Sequence, residues 1–202
     1  NWQYAQIVPT EKWRSAMTLP RELKLVKSGS TYKLNSLPTK EFQKLRKSST
    51  SLGQINITEE KVLKGSFSAS QTELDLKVNL KETTAKSFGV KLQNDLGENI
   101  IIKFDKKEGK IVVDRTNSRK DKFSDDFFKK VHTAPISFEN EKMNIRLIID
   151  AASIEIFVNN GEVSFTSIFF PSEKFNAISL FSNNGICKII NGEIYPLNSI
   201  WN

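Results

Sequence analysis

The sequence predicts an all-β protein, a two-sheet antiparallel β-sandwich, and three observations carry that prediction. From about residue 67 onward apolar and polar residues alternate with period two, which sends successive side chains to opposite faces of a strand. Turn residues punctuate the alternating runs: Asn159-Asn160-Gly161, Asn183-Asn184-Gly185, Asp95-Leu96-Gly97 and Lys107-Glu108-Gly109. No long helical pattern interrupts the series. A sheet that is apolar on one face must cover it, and a second sheet is the cover that many short strands can build.

In chain order, Leu19 to Leu25 alternates as a strand, and Thr39 to Arg46 is long enough for two helical turns with Phe42 and Leu45 on the buried side. The polar run Lys47-Ser48-Ser49-Thr50-Ser51 reads as a linker and marks a boundary near residue 50. In Leu74-Asp75-Leu76-Lys77-Val78-Asn79-Leu80 the four apolar residues face one way and Asp75, Lys77 and Asn79 the other, as in a half-buried antiparallel strand. The same reading fits 88–92, 100–104, 110–114, 144–150, 154–158, 163–168, 178–181 and 186–190, with 88–114 as a three-stranded meander. Two of the three Trp, Trp2 and Trp13, fall in the first 13 residues. Such large apolar side chains in a segment too short for its own core belong against something absent, or pack back onto the sandwich.

Composition narrows the function classes. With 38% hydrophobic residues, 10% aromatics, 6 Pro and 9 Gly, the 202-residue chain has enough apolar content to fold. No apolar run approaches the roughly 18 residues that span a bilayer, so no membrane partner is expected. The start at Asn1, without Met, fits a piece of a longer protein, and Asn1-Trp2-Gln3-Tyr4 lacks the features of a signal segment. One cysteine, Cys187, excludes an internal disulfide and a multi-cysteine zinc site. The net charge of +7 could attract polyanions, yet the basic residues are scattered singly, which suits solubility and edge protection better than nucleic-acid binding.

Single residues weigh toward structure. His132, the one histidine, has no evident partner for acid–base or metal chemistry; Asp125-Asp126 supplies at most part of an oxygen cage; and Cys187 reads as a packed thiol facing away from Ile186, Lys188 and Ile190. Phe165, Phe169, Phe170 and Phe175 could form a sugar platform, but core packing fits Phe better. Trp13 and Arg14 read as packing and a surface ion pair. No metal or cofactor is expected.

Several stretches resemble glycoside hydrolase family 32, the levanases, inulinases and invertases. They are Asn1-Trp2-Gln3-Tyr4-Ala5, the run from Thr10 through Met17-Thr18-Leu19-Pro20-Arg21-Glu22-Leu23, Gly89 to Asn94, Val113 to Ser118, Leu147 to Glu162, and Thr166 to Pro171. The resemblance implies a jelly-roll or concanavalin-like sandwich that follows a catalytic five-bladed β-propeller. Residues 1–25 would be the remnant of the last blade, 26–54 a linker with a short helix, and 55–202 the C-terminal sandwich. Family members hydrolyse fructosyl bonds with retention, using an Asp nucleophile and a Glu acid/base, two carboxyls about 5 Å apart.

The family's Asn-Asp-Pro, Arg-Asp-Pro and Glu-Cys motifs are absent here; Asn94-Asp95-Leu96 and Asp114-Arg115 have the wrong neighbours. The expectation is therefore a non-catalytic domain with no catalytic residue of its own. Trp2 is the one substrate-binding candidate, bordering the fructose pocket in the intact enzyme. Implied partners are the N-terminal propeller, a fructan or sucrose substrate of the parent and a possible homodimer; an extracellular or periplasmic setting is favoured. A stand-alone carbohydrate-binding module is the alternative.

Overall fold

The structure, a computed structural model, describes residues 4–10 and 14–200. A two-stranded ribbon comes first, β1 (Arg21–Ser28) and β2 (Thr31–Pro38), followed by a 3-10 helix over Lys40–Leu45. Three short strands, β3 (Thr50–Ser51), β4 (Ile55–Ile57) and β5 (Glu60–Val62), lead into β6 (Thr72–Asn79), β7 (Ser87–Gln93), β8 (Asn99–Asp105) and β9 (Lys110–Asp114). A four-residue helix α1 (Asp125–Phe128) precedes β10 (His132–Pro135), β11 (Lys142–Ile149), β12 (Ser153–Val158), β13 (Val163–Ile168), β14 (Ala177–Asn183) and β15 (Cys187–Pro196).

These strands make two antiparallel sheets, ordered β10-β9-β8-β7-β14-β5 and β13-β12-β11-β6-β15-β3, with β4 also paired to β15. The alternation of the sequence supplies the core. Leu74, Leu76 and Val78 of β6 and Ile145, Leu147 and Ile149 of β11 meet Val90, Leu92, Ile100, Ile102, Phe104, Ile178 and Leu180 of the other sheet in one buried cluster. Each such side chain contributes about 1.5–3 kcal/mol on burial. The β7–β8–β9 meander is present as expected. β15 runs further than its alternation suggested, through a bulge between Ile189 and Asn191, because it serves as the long partner of β6.

The β12–β13 turn takes positive φ at Asn159, Asn160 and Gly161 (49°, 58° and 81°), the geometry that Asn and Gly tolerate. Gly161 also lies against the ribbon. A Cβ there would stand 2.2 Å from the Ser36 carbonyl oxygen, and Ser36 N–H donates to the Gly161 carbonyl at 3.0 Å.

The predicted two helical turns over 39–46 are present as a 3-10 helix, closed by Arg46 N–H on the Gln43 carbonyl. The tighter winding fits between Pro38, the end of β2, and Arg46, which an ion pair holds in place. Phe42 is buried as expected and Leu45 packs beside it, in a second cluster with Ile148, Phe157 and Leu197 and the flanking Leu19 and Leu37. Ile148 and Phe157 alternate with core residues and so lie on the outer face of the seven-stranded sheet. The two ends of this segment, residues 19–21 and 37–46, therefore pack back onto the sandwich and cover that face.

Candidate functional site

Charged anchors hold the covering segment down. Glu73 of β6, fully buried, receives Arg46 through two bonds, Nε to Oε2 at 2.8 Å and Nη2 to Oε1 at 2.6 Å, and Arg146 of β11 donates to the same carboxylate. Arg46 also lies 4.1 Å over the Tyr195 ring, and Arg146 5.8 Å from the Phe42 ring. Asp75, across from Arg146 and Glu193, is pushed upward by burial and by the neighbouring Glu73 charge, while Arg146 and Arg46 pull the other way. Further along, Glu155 of β12 accepts from Leu19 N–H at 2.6 Å and from Arg21 Nη2 at 2.5 Å. Arg21 also donates to Thr166 and lies 5.1 Å from the Phe157 ring. Guanidinium suits these places because its planar fork satisfies carboxylates and rings together.

Beyond the anchors the ribbon stands out with an apolar side open. Leu25 pairs with Leu34, and Leu23 and Tyr32 share their face. Their exposures of 62% (Leu23), 69% (Leu25), 68% (Tyr32) and 57% (Leu34) identify a contiguous patch rather than scattered side chains. The opposite side of the ribbon is tied to the β12–β13 turn by Asn35 Nδ2 on the Asn160 carbonyl at 3.1 Å and by a Lys33–Glu162 ion pair.

An aromatic cluster lies at the α1 end. Ser124 caps α1, Phe127 and Phe128 are buried, and Phe123 and Phe170 complete an aromatic shelf. Tyr4 meets Phe127 edge-on at 5.2 Å, while Arg115 covers Phe127 at 3.8 Å and donates to the Ile168 carbonyl. Arg14 closes its own loop with bonds to the Ala5, Gln6 and Val8 carbonyls.

The remaining predicted residues find structural places. Trp2 and Trp13 lie outside the described residues. His132 sits half-buried on β10, its imidazole pushed toward the neutral form by burial and by Arg115. Asp125 and Asp126 form the first turn of α1, and no cluster of three or more metal-ligating side chains occurs among the described residues. Burial drives the Cys187 thiol up to about 12, which suits an unreactive packed group. Phe169 and Phe175 are core, Phe165 packs at its edge, and Phe170 belongs to the shelf.

The look-alikes of the catalytic motifs also build turns. Asp114 accepts from Thr116, and Asn94 donates to the buried Glu98 at 2.8 Å. Glu98 further accepts from the Lys120 N–H and from the Ser172 N–H and hydroxyl, joining three loops. Burial would raise its carboxyl, but these donors outweigh it and bring it down to about 2. Sequence reasoning missed Glu73, Glu98 and Glu155. Each buried acid is spent on fixing one segment to another.

The buried acids Glu73, Glu98 and Glu155 thus hold together a two-sheet β-sandwich that carries an open apolar ribbon ahead of it. Residues 41–196 match the model of the glycosyl hydrolases family 32 C terminal, so the chain belongs to that family. All of the chain aligns at 34% identity with 30% of a levanase from Bacillus subtilis, and at 28% with 38% of an extracellular exo-inulinase from Aspergillus awamori. The crystal structure of the Aspergillus awamori exo-inulinase superimposes with TM-score 0.85 at 25% identity, over all of this chain and 39% of that one. The chain thus spans about a third of the length of these relatives.

Proposed function

We propose that this domain closes a fructan- or sucrose-hydrolysing enzyme of the retaining type, acting as the rigid partner of an N-terminal catalytic propeller. The exposed row Leu23, Leu25, Tyr32 and Leu34, standing on a ribbon fixed to the sandwich by Arg21, Arg46 and Gly161, carries this reading. An apolar strip held in place rather than left to collapse suits a permanent neighbour. In this reading residues 1–25 end the last propeller blade, 26–54 connect it and 55–202 are the sandwich; β1 and β2 then carry the joint between them. Trp2 borders the sugar pocket of the intact enzyme. The relatives' names, levanase and exo-inulinase, support the substrate class.

The test has two arms. The 202-residue chain alone should release no fructose from levan, inulin or sucrose, and turnover by pure protein overturns the non-catalytic role. Charging the strip with Leu25→Lys and Leu34→Lys should leave the sandwich's melting temperature unchanged and abolish association with the separately expressed catalytic domain. Retained association removes the ribbon from the joint.

A further inference from the structure

The outer face of the six-stranded sheet is built differently from its counterpart. Across its middle runs the register Thr133, Val112, Lys103, Gly89, Phe181, Glu60, one residue from each strand. Their neighbours Val90, Ile102, Leu180 and Ile178 point into the core, so this row points outward. Gly89 has no room for a side chain, because the Phe181 ring leans over it: a Cβ there would stand 1.9 Å from the Ile102 carbonyl oxygen and 2.8 Å from that ring. Phe181 remains half-buried, on the floor of an open, shallow groove of about 490 Å³ that Glu60, Lys91, Ile101, Lys103 and Asn183 also line. The groove's lysines are held in ion pairs, Lys91–Glu60 at 3.3 Å and Lys103–Asp105 at 3.1 Å. One row away, the fully buried Ser179 hydroxyl has no partner among the described residues.

The chemistry of this groove selects its occupant. Among the lining residues Glu59 and Glu60 offset Lys91 and Lys103, so although the chain carries +7 the groove offers no positive field to a phosphate backbone. One aromatic ring among charges is too small an apolar patch for a protein partner. A flat apolar ring ringed by preorganised donors and acceptors matches a neutral sugar, whose C–H face stacks while its vicinal hydroxyls bridge the ion pairs. We propose that this groove is a secondary binding site for a neutral oligosaccharide, in particular a short fructosyl chain, with Phe181 as the stacking platform and Lys91, Glu60, Lys103 and Asn183 as hydroxyl partners. The choice of fructosyl units rests on the substrate class proposed above; the groove itself does not.

The experiment is titration of the 202-residue chain with inulin- and levan-derived oligosaccharides by calorimetry, with amide chemical-shift mapping on the same samples. Binding in the millimolar range or tighter is expected, with shifts confined to Gly89, Lys91, Lys103, Phe181 and Asn183. Phe181→Ala should weaken binding at least tenfold. Because it also uncovers Gly89, the surface changes Lys91→Met and Lys103→Met serve as a second measure, each expected to cost several-fold without altering the fold. Absence of heat and of shifts overturns the site, as do shifts that map elsewhere or preferential binding of a polyanion. Binding of gluco-oligosaccharides instead of fructosyl chains keeps the site and overturns the fructosyl assignment. None of these outcomes bears on the ribbon, whose own substitutions decide its role separately.

Discussion

The two sheets turn opposite outer faces to different surroundings, and the basic residue that each employs records the difference. The seven-stranded sheet is covered by residues 19–21 and 37–46, and the buried carboxylates of its outer face are met by Arg21, Arg46 and Arg146. The six-stranded sheet is open and uses Lys91, Lys103 and Lys110. Against 24 Lys the sequence has only six Arg, and five of them bridge separate segments through carboxylates or backbone carbonyls, Arg14 closing its own loop. A guanidinium stays charged, is weakly hydrated and fills several acceptor sites at once; an ammonium prefers water. Where a charge must be buried to fasten one segment to another, this chain uses Arg.

The largest effect should come from breaking the covered face at its centre. Glu73→Ala leaves Arg46 and Arg146 under the covering segment without their carboxylate, and should cost about 3–5 kcal/mol in chemical denaturation. Replacing all three residues by Met should recover most of that loss, since an apolar trio needs no desolvation to be offset. If the single change costs under 1 kcal/mol, the triad is not the fastening.

Glu98 gives the next effect and a pH dependence. Its carboxyl is lowered from the ordinary 4.5 to about 2 in the folded state, so it stabilises the fold above pH 4.5 and that contribution fades as the pH falls toward 2. The shift corresponds to about 3 kcal/mol at neutral pH as an upper bound. Glu98→Gln should lose on the order of 2 kcal/mol at pH 7 and flatten the stability curve between pH 2 and 5. A variant with the wild-type pH profile would contradict the assignment.

These residues also show where sequence reading stops. Nine strands and the Asn-Asn-Gly turn were legible because alternation reports which side chains share a face, and positive φ restricts residue type. What covers a face is a separate matter. Glu73 precedes Leu74 just as Asp75 follows it, and nothing local distinguishes a carboxylate buried under a segment 27 residues away from one in water. β10 escaped notice because His-Thr-Ala-Pro has no apolar alternation, and an edge position tolerates its proline. The Phe181 platform was hidden for a related reason: Gly89 and Phe181 meet only through the β7–β14 register, 92 residues apart.

The joint between ribbon and sandwich offers a smaller, local test. Gly161→Ala places a methyl group at φ 81° against the Ser36 backbone, and should cost about 1–3 kcal/mol while loosening β2 from the turn. Faster hydrogen exchange at Ser36, with the amides of β6 and β11 unchanged, is the expected signature. Uniform acceleration throughout would mean that the ribbon and the sandwich unfold as one unit.

The smallest effects should come from exchanging the two basic residues between faces, and their asymmetry is the sharpest test of the contrast. Arg21→Lys keeps the charge beside Glu155 but cannot also reach Thr166 and cover Phe157, so about 1 kcal/mol should be lost. Lys103→Arg on the open face changes a partly solvated pair with Asp105 and should shift stability by less than 0.5 kcal/mol, more weakly still at high salt. Thermal unfolding of the two variants at low and high ionic strength separates the cases: the loss at Arg21 should persist in salt because Glu155 is buried. Equal responses would mean that the choice of Arg on the covered face reflects something other than burial.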